Sequence, residues 1–184
     1  MKKERDSQRS KVYKAERAAF STLAVANERH ESVQDIEKFL RHVYSLKRVQ
    51  DSFPLARLGE WYVRVKDGRR CRSAYGSHSM INMPRWSRIS WVILHELSHT
   101  ITQREESRRV AGHGWQFCEN YLRLVLLVLG REAHDALKDS FKAHRVRFSK
   151  PRQRAPLSPE RKAQLLATLA AARAARTSVT GVAA

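Results

Sequence analysis

Acidic side chains are the scarce class in this 184-residue chain: 18 Asp and Glu stand against 36 Lys and Arg, a formal net charge of +18. A field of that sign attracts phosphate backbones and releases their counterions, which favours nucleic-acid contact without sequence choice. The basic residues are spread, notably at Lys2, Lys3, Arg5, Arg9 and Lys11, at Arg69, Arg70 and Arg72, and from Arg145 to Arg154, and no recognised DNA-binding motif accompanies them. Cysteine is nearly absent. Cys71 and Cys118 form no Cys-x-x-Cys knuckle, which argues against a disulfide scaffold, fits a reducing compartment and leaves Cys118 as core. Long apolar runs are missing too: the longest, Leu124 to Leu129, is far too short to span a bilayer. The charged opening is followed by no apolar signal-peptide core, so the expected location is the cytoplasm, with no membrane partner. No internal repeat is visible, and 42% hydrophobic content fits a single core with a tail.

Against these absences stands His95-Glu96-Leu97-Ser98-His99, inside a stretch from Ser90 to Thr102 that has no Gly or Pro. On an α-helix, residues four apart share a face, so His95 and His99 can offer imidazole nitrogens to one metal ion, for which zinc is the expected choice. Glu96 lies beside that face, placed to touch a water as general base. Ile89, Trp91, Val92, Ile93, Leu94, Leu97 and Ile101 cover most of the circumference, the pattern of a helix buried in a core. Two imidazoles and a carboxylate there need a metal or hydrogen bonds to offset their desolvation.

A catalytic zinc keeps three protein ligands, so one more is needed. The metzincin pattern would put Gly and His where this chain has Thr102 and Glu105, which excludes that class. His113, between Gly112 and Gly114 at the apparent start of the next helix, is free of bulky neighbours. Glu119 is its rival, and Glu105 and Glu106 are weaker ones.

His-Glu-x-x-His followed by Gly112-His-Gly-x-x-Phe-Cys118 resembles the SprT-like (Spartan-type) zincin domain over about Trp91 to Tyr121. The resemblance implies a zinc-dependent peptidase with ligands His95, His99 and His113 and base Glu96, acting on protein substrates that in its best-understood members are bound to DNA. Trp115 stands where Pro is frequent in that family, and no Cys-rich zinc ribbon follows. The whole chain, including Arg5 to Glu16, is also similar in layout to small metallohydrolase-like proteins of actinobacteria and their phages.

The periodicity predicts an amphipathic helix from about Asp6 to Asn27, with Val12, Ala15, Ala19, Phe20 and Leu23 inward, and a second from a Ser32 cap with Asp35 as its partner to about Val49. His30 and His42 read as surface residues. Trp61–Val65, an Asp67-Gly68 turn and Cys71–Tyr75 read as a β-hairpin. His78–Met83 reads as a third strand, of which Met80–Met83 is the candidate edge for an extended substrate. Gln103 to Arg109 is a polar segment suited to rim the site. Helices over Trp115–Leu129 and Glu132–His144 follow, with Gly130 between them and His134 and His144 as non-ligands. The expected fold is α+β and zincin-like: two N-terminal helices, a small mainly antiparallel sheet of about three strands, the metal-binding helix and a helix bearing the third ligand. Residues 1–148 form this domain. Residues 149–184 are a basic Pro/Ala/Arg-rich linker and a helix or disordered tail opened by Ser158-Pro159-Glu160.

The expected function is metal-assisted hydrolysis of a protein or peptide substrate. Tyr75, His78, Arg104 and Tyr121 are the conceivable donors to its oxyanion. Two alternatives stand beside it: a nucleic-acid-binding protein on a zincin scaffold with structural zinc, and an ImmA-like repressor-cleaving or anti-defence peptidase whose third ligand is a downstream acid.

Overall fold

The computed structural model describes residues 4–106, 109–151 and 158–180. Lys2 and Lys3, residues 107 and 108 of the polar segment, and 152–157 of the expected linker lie outside the described residues. Contacts divide the chain into two units, Met1–Lys150 and Pro151–Ala184. The second contains helix α7 (Pro159–Thr180), which opens at the Pro of the Ser-Pro-Glu signal and leaves Leu165, Leu166 and Leu169 exposed.

The first unit is α+β. It begins with α1 (Arg9–Phe20), whose buried face is Val12, Ala15, Glu16, Ala19 and Phe20. This helix stops short of the sequence expectation because the Asn27 amide folds back and donates to the Phe20 and Leu23 carbonyls. α2 (Val33–Ser45) opens on the expected capping box: Ser32 Oγ accepts the Asp35 N–H at 3.1 Å, and the Asp35 carboxylate accepts the Ser32 N–H at 3.1 Å. Ile36, Leu40 and Val43 are its buried stripe. Leu46 takes extended backbone, so the expected run to Val49 divides and α3 (Lys47–Ser52) is a separate short helix.

The sheet corrects three expectations. Strand β1 (Arg64–Asp67) does not form a hairpin with the segment after the turn; it pairs in parallel with β3 (Met80–Met83), while β2 (Tyr75–Gly76) is antiparallel to β3. The order is β1-β3-β2, a mixed sheet rather than a mainly antiparallel one. The reason lies at the expected turn. The Asp67 carboxylate accepts from the buried Arg88 guanidinium at 2.7 Å, and the Gly68 N–H runs to the Met83 carbonyl, so this stretch continues the pairing with β3. With a neighbour on both sides, Met80–Met83 is the central strand and has no free edge to offer a substrate. β2 instead lies against the metal-motif helix, so closely that a Cβ on Gly76 would stand 2.1 Å from the Glu96 carbonyl oxygen.

That helix is α4 (Ser90–Glu105), buried on nearly all sides as its composition requires. Burial of Val92, Ile93, Leu94, Leu97 and Ile101, at about 1.5–3 kcal/mol each, offsets the desolvation of the polar groups among them. His30 anchors its start and corrects a further expectation: it is buried, with its ring 3.0 Å from Ser90 Oγ, while His42 is exposed. α5 (Trp115–Val128) packs on α4 through Phe117, Tyr121 and Val125, while Leu126 and Leu129 are only half-buried. Gly130, at φ 91°, turns the chain into α6 (Arg131–Ala143), which packs on α1. Among the described residues no helix is long and apolar enough to cross a membrane.

Candidate metal centre

The helical spacing does what it must: His95 and His99 stand one turn apart on α4, their rings 4.9 Å from centre to centre. His113 enters from the turn before α5, where Gly114 is the N-cap and its N–H bonds back to the Ala111 carbonyl at 3.0 Å. Its ring lies 5.3 Å from that of His95 and 4.8 Å from that of His99. One ligand atom from each of the three lies within 4.8 Å of the others, close enough to bind one metal ion. The Nε2 atoms of His95 and His113 are 3.3 Å apart. A tetrahedral ion with nitrogen bonds of about 2.0–2.1 Å requires about 3.3–3.4 Å between its ligand atoms, so this pair fits such an ion.

The orientation of the imidazoles comes from α1 and the residues before it. Asp6 Oδ2 accepts from His113 Nδ1 at 2.8 Å. Burial works against the Asp6 carboxylate, but its bonds to His113 and the charges of His113 and Arg9 together outweigh burial and hold its pKa below the ordinary value. Asp6 is therefore ionised at neutral pH and can only accept; the proton belongs on Nδ1, and Nε2 presents a lone pair. Glu16, fully buried on the apolar face of α1, accepts from His95 Nδ1 in the same way. Burial disfavours a charged His95, yet the bond and charge of Glu16, joined by the charge of Glu96, more than compensate and raise its pKa. His113 moves the other way: burial and the neighbouring His95 push it down to about 4, so it is neutral at pH 7, as a ligand must be. Gln8 adds a clamp, donating to the His113 carbonyl at 2.7 Å.

Glu96 borders the cluster. Burial pushes its pKa up to about 7, and the Gly76 backbone N–H donates to its carboxylate, the polar counterpart of the close approach of β2. Phe117 stacks on His99 at 4.4 Å, closing the site on the α5 side. On the open side lies a cavity of about 400 Å³, lined by Tyr13, Arg17, Arg72, Trp86, His95 and Glu96 among others.

The structure thus brings together every residue proposed for the site: His95, His99 and His113 as a group and Glu96 against it. Among the described residues no carboxylate belongs to that group. The rival Glu119 is outside it, and Glu105 accepts the Ala56 N–H at 2.7 Å instead. Two of the conceivable oxyanion donors are engaged elsewhere. The Tyr121 hydroxyl donates to the Trp91 carbonyl, and Arg104 donates to the carbonyls of His78, Ala56 and Trp61. Sequence reasoning missed Asp6, Gln8, Tyr13 and Glu16. Only Glu16 left a trace, as an acid on the same helix face as Val12, Ala15 and Ala19. Compared with known protein families, with curated proteins and with solved structures, the chain matches none.

Proposed function

We propose that this chain is a zinc-dependent metallohydrolase, and specifically a peptidase, with His95, His99 and His113 as zinc ligands and Glu96 as general base. The observation that carries the reading is the three-imidazole group with two carboxylates behind it and one carboxylate beside it. Structural zinc sites close with four protein ligands, whereas this group offers three, and His95 among them lines a cavity with Glu96. Bound there, zinc supplies a Lewis acid that lowers the pKa of a water toward about 7 and polarises an acyl carbonyl. Glu96 takes a proton from the attacking water and later gives it to the leaving amine. A cation beside it favours its ionised form, the form a base needs. Asp6 and Glu16 keep the imidazole lone pairs aimed. An ImmA-like centre would take an acid as third ligand, and the group contains none.

Partners in this reading are a protein or peptide substrate in the cytoplasm and, through the open cleft of Lys66, Arg69, Arg70 and Arg85, nucleic-acid phosphates bound without sequence choice. An affinity for duplex DNA that does not weaken with salt speaks against the second partner. The decisive experiment is zinc per chain by elemental analysis, with casein hydrolysis alongside. Wild type and Glu96→Gln are expected near one zinc, His113→Ala depleted, Glu119→Ala unchanged, and Glu96→Gln inactive. A wild type that takes no zinc after reconstitution ends the proposal, and an active Glu96→Gln removes the base.

A further inference from the structure

Tyr13 is one of the polar residues of the cavity that have no task so far. It stands on α1 between Asp6 and Glu16, the residues that hold His113 and His95. Its ring meets that of His113 edge-on at 5.1 Å and lies 5.6 Å from that of His95. It lines the same cavity as Glu96 and is 39% exposed, so one side of the ring rests on the metal ligands and the other is open. Among the described residues its hydroxyl has no hydrogen-bond partner. A phenol, with an ordinary pKa of about 10, keeps its proton at neutral pH, so this hydroxyl is a donor in the same cavity as the base. Tyr75 and His78, by contrast, do not line this cavity.

We infer that Tyr13 is a catalytic residue whose hydroxyl donates a hydrogen bond to the oxyanion formed when water adds to the acyl carbon. The inference rests on the hydrolase reading above. In the addition, the water oxygen bonds to the acyl carbon, one water proton passes to Glu96, and the carbonyl π pair moves onto its oxygen. Tyr13 keeps its proton throughout and donates a bond that strengthens as charge builds on that oxygen. When the pair returns, the C–N bond breaks and the amine leaves with the proton from Glu96. A donor on a helix tied down by the Glu16–His95 bond, with the Asp6–His113 bond just before its start, needs little reorganisation during the reaction, which is what such stabilisation demands.

The test uses the full chain loaded with Co²⁺, as wild type and Tyr13→Phe, titrated with acetohydroxamate and followed by visible absorption. The Phe variant keeps the ring against both imidazoles and removes only the hydroxyl. Metal affinity is expected to stay within about twofold, while acetohydroxamate, which brings an anionic oxygen, binds about tenfold or more weakly for want of one hydrogen bond to a charged group. With zinc and casein, kcat is expected to fall about 10²–10³-fold with KM little changed. Equal hydroxamate affinities overturn the inference, as does a loaded wild type that takes no hydroxamate. So does a variant that loses metal and hydroxamate in parallel, which marks a merely structural residue. A loaded wild type that cleaves no protein while Tyr13→Phe still loses hydroxamate sinks the peptidase reading and leaves the donor standing.

Discussion

Removing the carboxylate behind His95 tests the centre without touching a ligand. Glu16 is 1% exposed and His95 3%, so their bond is shielded from bulk water in the intact protein. Glu16→Ala leaves the His95 Nδ1–H without an acceptor, frees the imidazole to turn, and removes the partner that keeps the ring basic. Losing such a partner typically costs 10–100-fold in metal affinity, or about 1.4–2.7 kcal/mol. Glu16→Gln keeps shape and an acceptor oxygen but not the charge, so its loss is expected to fall between wild type and Ala. The assay is zinc competition against a chromophoric chelator at pH 7, with unfolding of the metal-free proteins measured in parallel to separate affinity from folding. A folded Glu16→Ala that binds zinc within about twofold of wild type refutes the reasoning. An isosteric Gln variant as weak as Ala, with unchanged apo stability, would place all of the effect in charge and none in orientation.

Gly76→Ala forces a Cβ to within 2.1 Å of the Glu96 carbonyl oxygen, which is backbone and cannot swing aside. The expected loss is about 1–3 kcal/mol in urea unfolding, with activity reduced because the Gly76 N–H leaves the Glu96 carboxylate; an unchanged midpoint contradicts the close approach. His30 contributes a pH dependence. Burial, its largest cause, holds its folded pKa below the ordinary 6.5, against the opposing pull of Glu28 and Asp35. The unfolded chain then binds more protons, so this stability is present above about pH 6.5 and is lost as pH falls from there through the folded pKa. Metal-free wild type should therefore lose more stability between pH 7 and 5 than His30→Gln, and identical slopes count against it.

Helical spacing is local, and so the His95, Glu96 and His99 arrangement was legible before any fold: 3.6 residues per turn places them whatever surrounds the helix. The Ser32 and Asp35 capping box is readable for the same reason, since its atoms lie within one turn. His113 could be nominated, because a His between two glycines before a helix is an open position, but Glu119 competed until α4 and α5 were packed together. Strand pairing was misread because Asp-Gly reports only a local turn preference, which the Arg88 to Asp67 ion pair and the parallel ladder with β3 overrode. His30 looked exposed among charged neighbours, and only the start of α4 gave it a place inside. Asp6, Tyr13 and Glu16 had no sequence mark that tied them to the histidines, since Glu16 lies 79 positions from His95 and Asp6 107 from His113. The sequence by itself determined the helix that carries His95, Glu96 and His99 and the placing of those side chains within it, because one helical turn contains them. The tertiary structure alone decided which carboxylates orient the imidazoles and which phenol faces the cavity, because those groups meet only when α1 is packed across the site.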